Sequence, residues 1–133
     1  MRMRRALLVL VAGLALFVVG CGSKAKQAQS RLVSPAEFAA AVTEPGTVTI
    51  NVLGPGVESI PGTDLFISVD QLSASRSRLP SLSTKLAVYC AHGRTSAVAV
   101  PILGQLGYKN IVELRGGMAE WLASGRKLVP ASG

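Results

Sequence analysis

The chain has 133 residues, enough for one buried core but too few for two domains with a cleft between them. Its net charge is +7, but three of the fourteen basic residues lie within the first five positions, so the remainder carries a net +4. That is a mild bias towards anionic substrates and surfaces. No basic cluster with interleaved aromatic residues is present in the sequence, which argues against a nucleic-acid partner.

Residues 1–20 have the pattern of a signal peptide. Basic residues come first, an apolar stretch of about fourteen residues follows, and Gly20 offers a small residue for cleavage. The stretch is shorter than the roughly 20 residues that a membrane-spanning helix needs, so an uncleaved membrane anchor is the less favoured alternative. Arg4-Arg5 leaves a twin-arginine export signal as a second alternative.

The VVGC motif at 18–21 resembles the lipobox of bacterial lipoproteins. The resemblance implies that Cys21 is lipidated and becomes the new N-terminus, which gives an exported protein anchored to the membrane outside the cytoplasm. Two acyl chains anchor a protein stably where one is marginal. Residues 21–30 are small and polar and predict a flexible tether. A lipidated Cys21 cannot pair with Cys90, so Cys90 is predicted to be a free thiol.

The first half of the mature chain predicts helices and strands in alternation. The sequence SPAE at 34–37 is a capping box with proline at the first helical position, which predicts a helix to about Val42. The β-branched, apolar run at 47–53 predicts a buried strand. A short strand is predicted over 65–67 and a weak helix over 70–75.

The second half continues the alternation. A buried strand is predicted over 86–89, then a helix over 95–106 that Pro101 should kink or loosen. A strand over 110–114 and a helix over 118–123 follow. Strands that alternate with helices favour a parallel sheet covered by helices on both faces. The predicted fold class is therefore α/β with a small parallel sheet.

Cys90 lies at the carboxyl end of a predicted central strand, and a helix begins five residues later. Open α/β sheets bind their ligands at this edge, and loop amides together with the helix dipole attract an anion. A lowered pKa is therefore expected for the Cys90 thiol, which makes it a candidate nucleophile. The residues expected to bind substrate around this catalytic cysteine are Ala91, His92, Gly93, Arg94, Thr95 and Ser96.

Each position in this loop has a structural alternative. Gly93 permits a sharp turn, and Arg94 either attracts an anionic donor or is plain surface charge. His92 either donates to an anion or shuttles a proton, or it is a loop residue that faces solvent. Thr95 and Ser96 are expected to cap the helix first and to contact a ligand second. An inert core cysteine is the alternative for the nucleophile. One histidine and one free cysteine do not make a metal site, so neither a metal nor a cofactor is predicted.

The order of these motifs resembles a rhodanese homology domain. The resemblance rests on the loop that opens with Cys90, on the run YKNIVELRGGMAEW at 108–121 and on the Ile60-Pro61-Gly62 turn. The resemblance covers residues 31–130. The loop, which has a histidine at its third position, His92, looks most like that of the single-domain thiosulfate sulfurtransferases. The resemblance implies a parallel, about five-stranded sheet with flanking helices. It also implies transfer of sulfane sulfur from thiosulfate or a related anion, through a Cys90 persulfide, to cyanide or a thiol.

The chain departs from that family's pattern after the first long strand. Asn51 and Leu53 stand where Asp and Arg are usual, and Glu58-Ser59 replaces Gly-His before the Ile-Pro-Gly turn. These differences leave an alternative function open, that of a non-catalytic rhodanese-fold lipoprotein for binding or for redox and sulfur sensing. A phosphatase is disfavoured, because the related phosphatase loop is longer and has arginine six residues after the cysteine, where this chain has Ser96.

Overall fold

The computed structural model describes residues 29–56 and 58–132. The predicted signal peptide, Cys21 and most of the predicted tether lie outside the described residues. The first strand begins at Gln29, so the last two residues of the range predicted as tether belong to the folded domain. No helix in the described part of the chain is long and apolar enough to cross a membrane.

The described residues form strands and helices in the predicted alternation, with three further strands, at 29–33, 58–59 and 129–130, that were not predicted. The strands are β1 (Gln29–Val33), β2 (Val48–Asn51), β3 (Glu58–Ser59), β4 (Leu65–Phe66), β5 (Leu86–Tyr89), β6 (Asn110–Leu114) and β7 (Val129–Pro130). The α-helices are α1 (Pro35–Thr43), α2 (Arg94–Leu106) and α3 (Gly117–Ala123). Two short 3-10 turns, Val69–Gln71 and Arg76–Arg78, connect β4 to β5.

Five of the strands form one parallel sheet in the order β1-β6-β5-β2-β4. The central strand, β5, is buried along its whole length, as parallel strands covered on both faces must be. β3 and β7 form a separate antiparallel pair. The α/β fold class and the small parallel sheet predicted from the sequence are confirmed, as is the count of about five strands that the resemblance to a rhodanese homology domain implies.

Side chains of β5 alternate between two apolar cores, one on each face of the sheet. Leu86, Val88 and the following Cys90 belong to the core that α2 covers. Ala87 and Tyr89 belong to the core that α1 and α3 cover. Cys90 therefore points towards α2, whose first turn lies over the end of the central strand.

The capping box predicted for α1 is present. The Glu37 amide donates to the Ser34 hydroxyl at 3.3 Å, and the Ser34 amide donates to the Glu37 carboxylate at 2.9 Å. The prediction of a helix over 70–75 is wrong. This serine-rich segment forms only the two 3-10 turns, since serine side chains compete for the backbone hydrogen bonds of a helix. Pro101 does not interrupt α2. Proline removes the amide that would pair with the Ala97 carbonyl, and because Ala97 is exposed, water can take the place of that amide.

The Tyr89 hydroxyl joins a buried hydrogen-bond network. It accepts from the Ile60 amide at 3.0 Å and lies 2.7 Å from the Thr63 hydroxyl. Tyr89→Phe leaves the buried Ile60 amide without a partner, so we expect the free energy of unfolding in urea to fall by about 1–3 kcal/mol. Tyr108→Phe is the control, because it removes a single bond to the partly exposed Pro80 carbonyl. An equal loss in both variants would contradict this account.

Candidate active site

The loop after β5 is built by the strand, by Gly93 and by α2. Cys90 follows the strand directly, and 1% of its surface is exposed. Gly93 has φ 94°, a left-handed conformation that glycine adopts without strain, and it lets the chain turn back into α2 at Arg94. The cysteine therefore lies between the end of the central strand and the N-terminus of a thirteen-residue helix.

The N-terminus of α3 orients the peptide groups of the loop. The Met118 amide donates to the carbonyl of Cys90 at 2.9 Å, and the Ala119 amide donates to the carbonyl of Ala91 at 3.0 Å. Gly117 permits this approach, because a Cβ there would lie 2.4 Å from the Cys90 carbonyl oxygen. The carbonyl and the N–H of one planar peptide point in opposite directions, so the bond from the Ala91 carbonyl to α3 turns the His92 amide towards the sulfur.

Three groups of the loop contact the Cys90 sulfur. The Gly93 amide donates to Sγ at 3.1 Å and the Ser96 amide donates at 3.3 Å. The Ser96 hydroxyl oxygen lies 3.4 Å from Sγ. Amide donors aimed at one sulfur stabilise a negative charge on it more than they stabilise a neutral thiol.

Burial and hydrogen bonding act on the Cys90 thiol in opposite directions. Burial raises the pKa of the thiol, but hydrogen bonds with Ser96, Gly93 and His92 stabilise the thiolate and outweigh burial. The pKa of Cys90 therefore lies below its ordinary value of 9.0. The positive end of the α2 dipole acts in the same direction. The site is thus suited to hold a thiolate or another anionic sulfur.

The lowered pKa of Cys90 predicts a pH dependence of alkylation. In a Cys21→Ser protein, where Cys90 is the only thiol, we expect the iodoacetamide rate to reach its half-maximum at a lower pH than in the same protein unfolded in guanidinium. A pKa that is lower in the folded state than in the unfolded state also stabilises the fold. This contribution is fully present when the pH is above the pKa of the unfolded state, and it is lost as the pH falls through the pKa of the folded state. A half-maximal pH at or above that of the unfolded protein would show that the hydrogen bonds on the Cys90 sulfur do not favour the thiolate.

The structure brings together only part of the predicted substrate-binding set. Gly93 and Ser96 contact the sulfur directly, and His92 acts on it through its backbone amide. The side chains of His92 and Arg94 are exposed. Ala91 uses its carbonyl to bind α3. These residues therefore supply a cradle made mainly of backbone, with the two basic side chains free to meet a ligand from solvent.

The capping roles expected of Thr95 and Ser96 are wrong. Gly93 occupies the N-cap position, and no side chain caps α2. The Ser96 hydroxyl instead lies 3.2 Å from the Gly93 carbonyl and donates to the Glu113 carboxylate at 2.8 Å. The amides of Arg94 and Thr95, in the first turn of α2, have no acceptor among the described residues, and they remain available to an anion.

Two residues that position the site were not predicted from the sequence. Glu113 is buried on β6 beneath α2 and binds Ser96. Its signal was a single acidic residue in the otherwise apolar run at 111–114 of the predicted strand. Gly117 was predicted only to lead into the helix over 118–123, and sequence alone does not show that its backbone packs against the Cys90 loop.

Neither Asn51 nor Leu53 is among the residues that form hydrogen bonds with the Cys90 sulfur. Ile50 and Val52 of the same segment belong to the α2 core, so the intervening Asn51 points to the opposite face of the sheet from Cys90. Its side-chain oxygen accepts from the Leu53 amide at 2.9 Å and turns the chain, which ends the strand at 51 where the sequence predicted 53. These two departures from the family's pattern therefore leave the amide cradle intact.

The fold and the loop define a class of protein, namely an α/β domain with a free cysteine in an amide-lined loop after its central strand. The family model described as Rhodanese-like domain matches residues 31–124. The chain belongs to the rhodanese-like domain family. No curated protein sequence matches the chain. Among the described residues no cluster of His, Cys, Asp and Glu could hold a metal ion.

Solved structures show the same fold. A rhodanese-related protein from Thermoplasma volcanium is 28% identical with a TM-score of 0.59, covering 74% of this chain and 97% of that one. A rhodanese-like domain from Anabaena sp. is 22% identical with a TM-score of 0.65, covering 75% and 79%. An NAD-dependent persulfide reductase from A. fulgidus is 28% identical with a TM-score of 0.52, covering 59% of this chain but 14% of that one.

Proposed function

We propose that this protein is a sulfurtransferase in which Cys90 carries sulfane sulfur as a persulfide. The observation that carries the proposal is the set of hydrogen bonds on the Cys90 sulfur, from the amides of Gly93 and Ser96. These donors lower the pKa of the thiol, and the same donors suit the negative charge of a persulfide.

The proposed reaction has two displacement steps. The Cys90 thiolate attacks the sulfane sulfur of thiosulfate, a new sulfur–sulfur bond forms, and the old one breaks as its electron pair leaves with sulfite. Cyanide or a thiolate then attacks the terminal sulfur of the persulfide. The bond to that sulfur forms, the bond to Sγ breaks, and the Cys90 thiolate is restored. No external oxidant or reductant is consumed in the cycle with cyanide.

Several features of the loop support a small anionic donor. The amides of Arg94 and Thr95 are available to an anion, and the exposed side chains of His92 and Arg94 add basic groups nearby. The structural neighbour from A. fulgidus is itself named a persulfide reductase, and a domain of this fold makes up part of it. Thiosulfate or a related sulfane donor fits this chemistry best, with cyanide or a thiol as acceptor.

The proposal places the enzyme on a membrane surface outside the cytoplasm. Its support is the VVGC motif at 18–21 after an apolar leader, which would make Cys21 the lipidated N-terminus. Expression in a bacterial host tests this point. The protein should be found in the membrane fraction with the added mass of a lipid, and Cys21→Ser should abolish the lipid modification. A Cys21→Ser protein that still carries the lipid mass would refute the anchor.

Steady-state turnover tests the proposed activity. The full chain in detergent should form thiocyanate from thiosulfate and cyanide, with saturation in both substrates. Absence of turnover with thiosulfate, with thiosulfonates and with glutathione persulfide as donors would refute the sulfurtransferase.

One observation favours a second function, non-catalytic binding or redox sensing through the same cysteine. The Cys90 residue is 1% exposed, which limits the approach of a large acceptor to its sulfur. This alternative predicts oxidation of Cys90 by peroxide or capture of a partner, without turnover. Partner binding that persists in Cys90→Ala would favour it over catalysis.

A further inference from the structure

Glu113 is a buried carboxylate that the proposed reaction does not use. It lies on β6 with 9% of its surface exposed, and its neighbours in the sheet are Leu32 of β1 and Val88 of β5. Both neighbours are apolar, so the sheet offers no hydrogen-bond donor from those side chains. The Ser96 hydroxyl, from the first turn of α2, supplies one at 2.8 Å. A buried carboxylate held this way needs its donor, because losing it is costly.

The Ser96 hydroxyl has one proton and three acceptors within reach. They are the Glu113 carboxylate at 2.8 Å, the Gly93 carbonyl at 3.2 Å and the Cys90 sulfur at 3.4 Å. A hydroxyl donates to one acceptor at a time, and the carboxylate is both the nearest and the strongest. With its proton on Glu113, the Ser96 oxygen presents a lone pair to Cys90 and accepts from the thiol.

We propose that Glu113 is a positioning residue that controls, through the Ser96 hydroxyl, how readily the Cys90 thiol gives up its proton. When the thiol loses its proton to a base in solution, the Ser96 oxygen loses the S–H donor. The hydroxyl can then stabilise the thiolate only by turning away from Glu113, which leaves a buried carboxylate without its donor. Glu113 therefore restrains ionisation of the thiol, while the two amides favour it. The inference rests on the proposed role of Cys90 as nucleophile, but not on the identity of the donor.

Among the described residues, no other charged group near Ser96 and Cys90 is buried as Glu113 is. Glu113 is the one buried charged side chain in residues 29–56 and 58–132. The charged groups of the neighbouring elements are exposed: His92 of the loop, Arg94 of α2, Asp70 of the 3-10 turn packed on α2, Arg31 of β1, Arg115 after β6 and Glu120 of α3. Tyr89 of β5 is titratable and buried, but it belongs to the core on the opposite face of the sheet. Arg31 and Arg115 act on Glu37 of α1.

The test is the pH dependence of Cys90 alkylation by iodoacetamide, which needs no sulfur donor. The full chain with Cys21→Ser, in detergent, has Cys90 as its only thiol. Glu113→Gln removes the negative charge. The glutamine side-chain amide can donate to the Ser96 oxygen, so the Ser96 hydroxyl is free to donate its own proton to the sulfur. We expect the half-maximal pH to fall by about one unit. Glu120→Gln removes the same charge from an exposed site and should leave it unchanged.

A Ser96→Ala background separates action through Ser96 from direct charge repulsion. Without the hydroxyl, Glu113→Gln should produce less than half of its original shift. An unchanged half-maximal pH in Glu113→Gln, or the full shift in the Ser96→Ala background, would overturn the proposal. If Glu113→Gln lacks the parent's circular dichroism spectrum, Glu113→Ser, which is shorter and neutral, replaces it with the same expectation. Absence of turnover with every sulfane donor in the parent protein would refute the sulfurtransferase, but the alkylation profiles would still test the role of Glu113.

Discussion

Replacing Cys90 with serine should lower thiocyanate formation from thiosulfate and cyanide by about 10³-fold or more, to the rate without protein. A serine hydroxyl is not ionised at neutral pH, and it cannot form the sulfur–sulfur bond on which the proposed cycle depends. The hydroxyl has a similar shape and can still accept from the amides of Gly93 and Ser96, which lie 3.1 and 3.3 Å from the sulfur. The variant should therefore fold.

Cys21→Ser is the matched control for this experiment, because it makes the same substitution at the other cysteine of the chain. It should keep the parent's kcat and KM for thiosulfate when both proteins are assayed in detergent. Turnover that survives in Cys90→Ser, or disappears in Cys21→Ser, would assign the chemistry to a different group.

Replacing Gly117 with alanine should lower the free energy of unfolding by about 2–5 kcal/mol, the sum of backbone strain and overpacking. Gly117 has φ 62°, and a Cβ would lie 2.4 Å from the Cys90 carbonyl oxygen and 2.6 Å from the Ala91 carbonyl carbon. Both contacts are with backbone, so relief requires the loop to move away from α3. That movement breaks the bonds from Met118 and Ala119 and disturbs the amides around the sulfur.

Gly125→Ala is the control for strain alone, because Gly125 has φ 86° but no atom within 4 Å of an added Cβ. It should cost about 1–2 kcal/mol and leave the alkylation profile of Cys90 unchanged. Gly117→Ala should in addition raise the half-maximal pH of alkylation, since the loop loses its alignment. Equal costs in the two variants in urea unfolding would show that the loop does not depend on the close approach of α3.

Much of the fold was predictable because local sequence and tertiary structure agree. The capping box at Ser34, the apolar strand at 86–89 and the alternation of strands with helices each indicate the element that forms. The prediction failed over 70–75, where helical periodicity was weak and serines favour turns. Strand β7 is two residues long and exposed, so no apolar pattern marks it.

The candidate site was predictable in position but not in its hydrogen bonds. A cysteine after a central strand and before a helix indicates where the sulfur lies, and the structure places Cys90 there. The sequence does not show that Ser96 turns its hydroxyl to Glu113 rather than to the helix end, because that depends on which β6 residue lies under α2. The tie between the Cys90 loop and Met118 likewise depends on the packing of segments distant in sequence.

Intact mass after exposure to thiosulfate tests the central claim most directly. The reduced protein with Cys21→Ser, desalted after the reaction, should gain the mass of one sulfur atom and lose it again when cyanide is added. The same protein with Cys90→Ser should gain nothing. No gain in the parent, with Cys90 still open to iodoacetamide, would contradict a persulfide carrier and leave binding or redox sensing as the function of this loop.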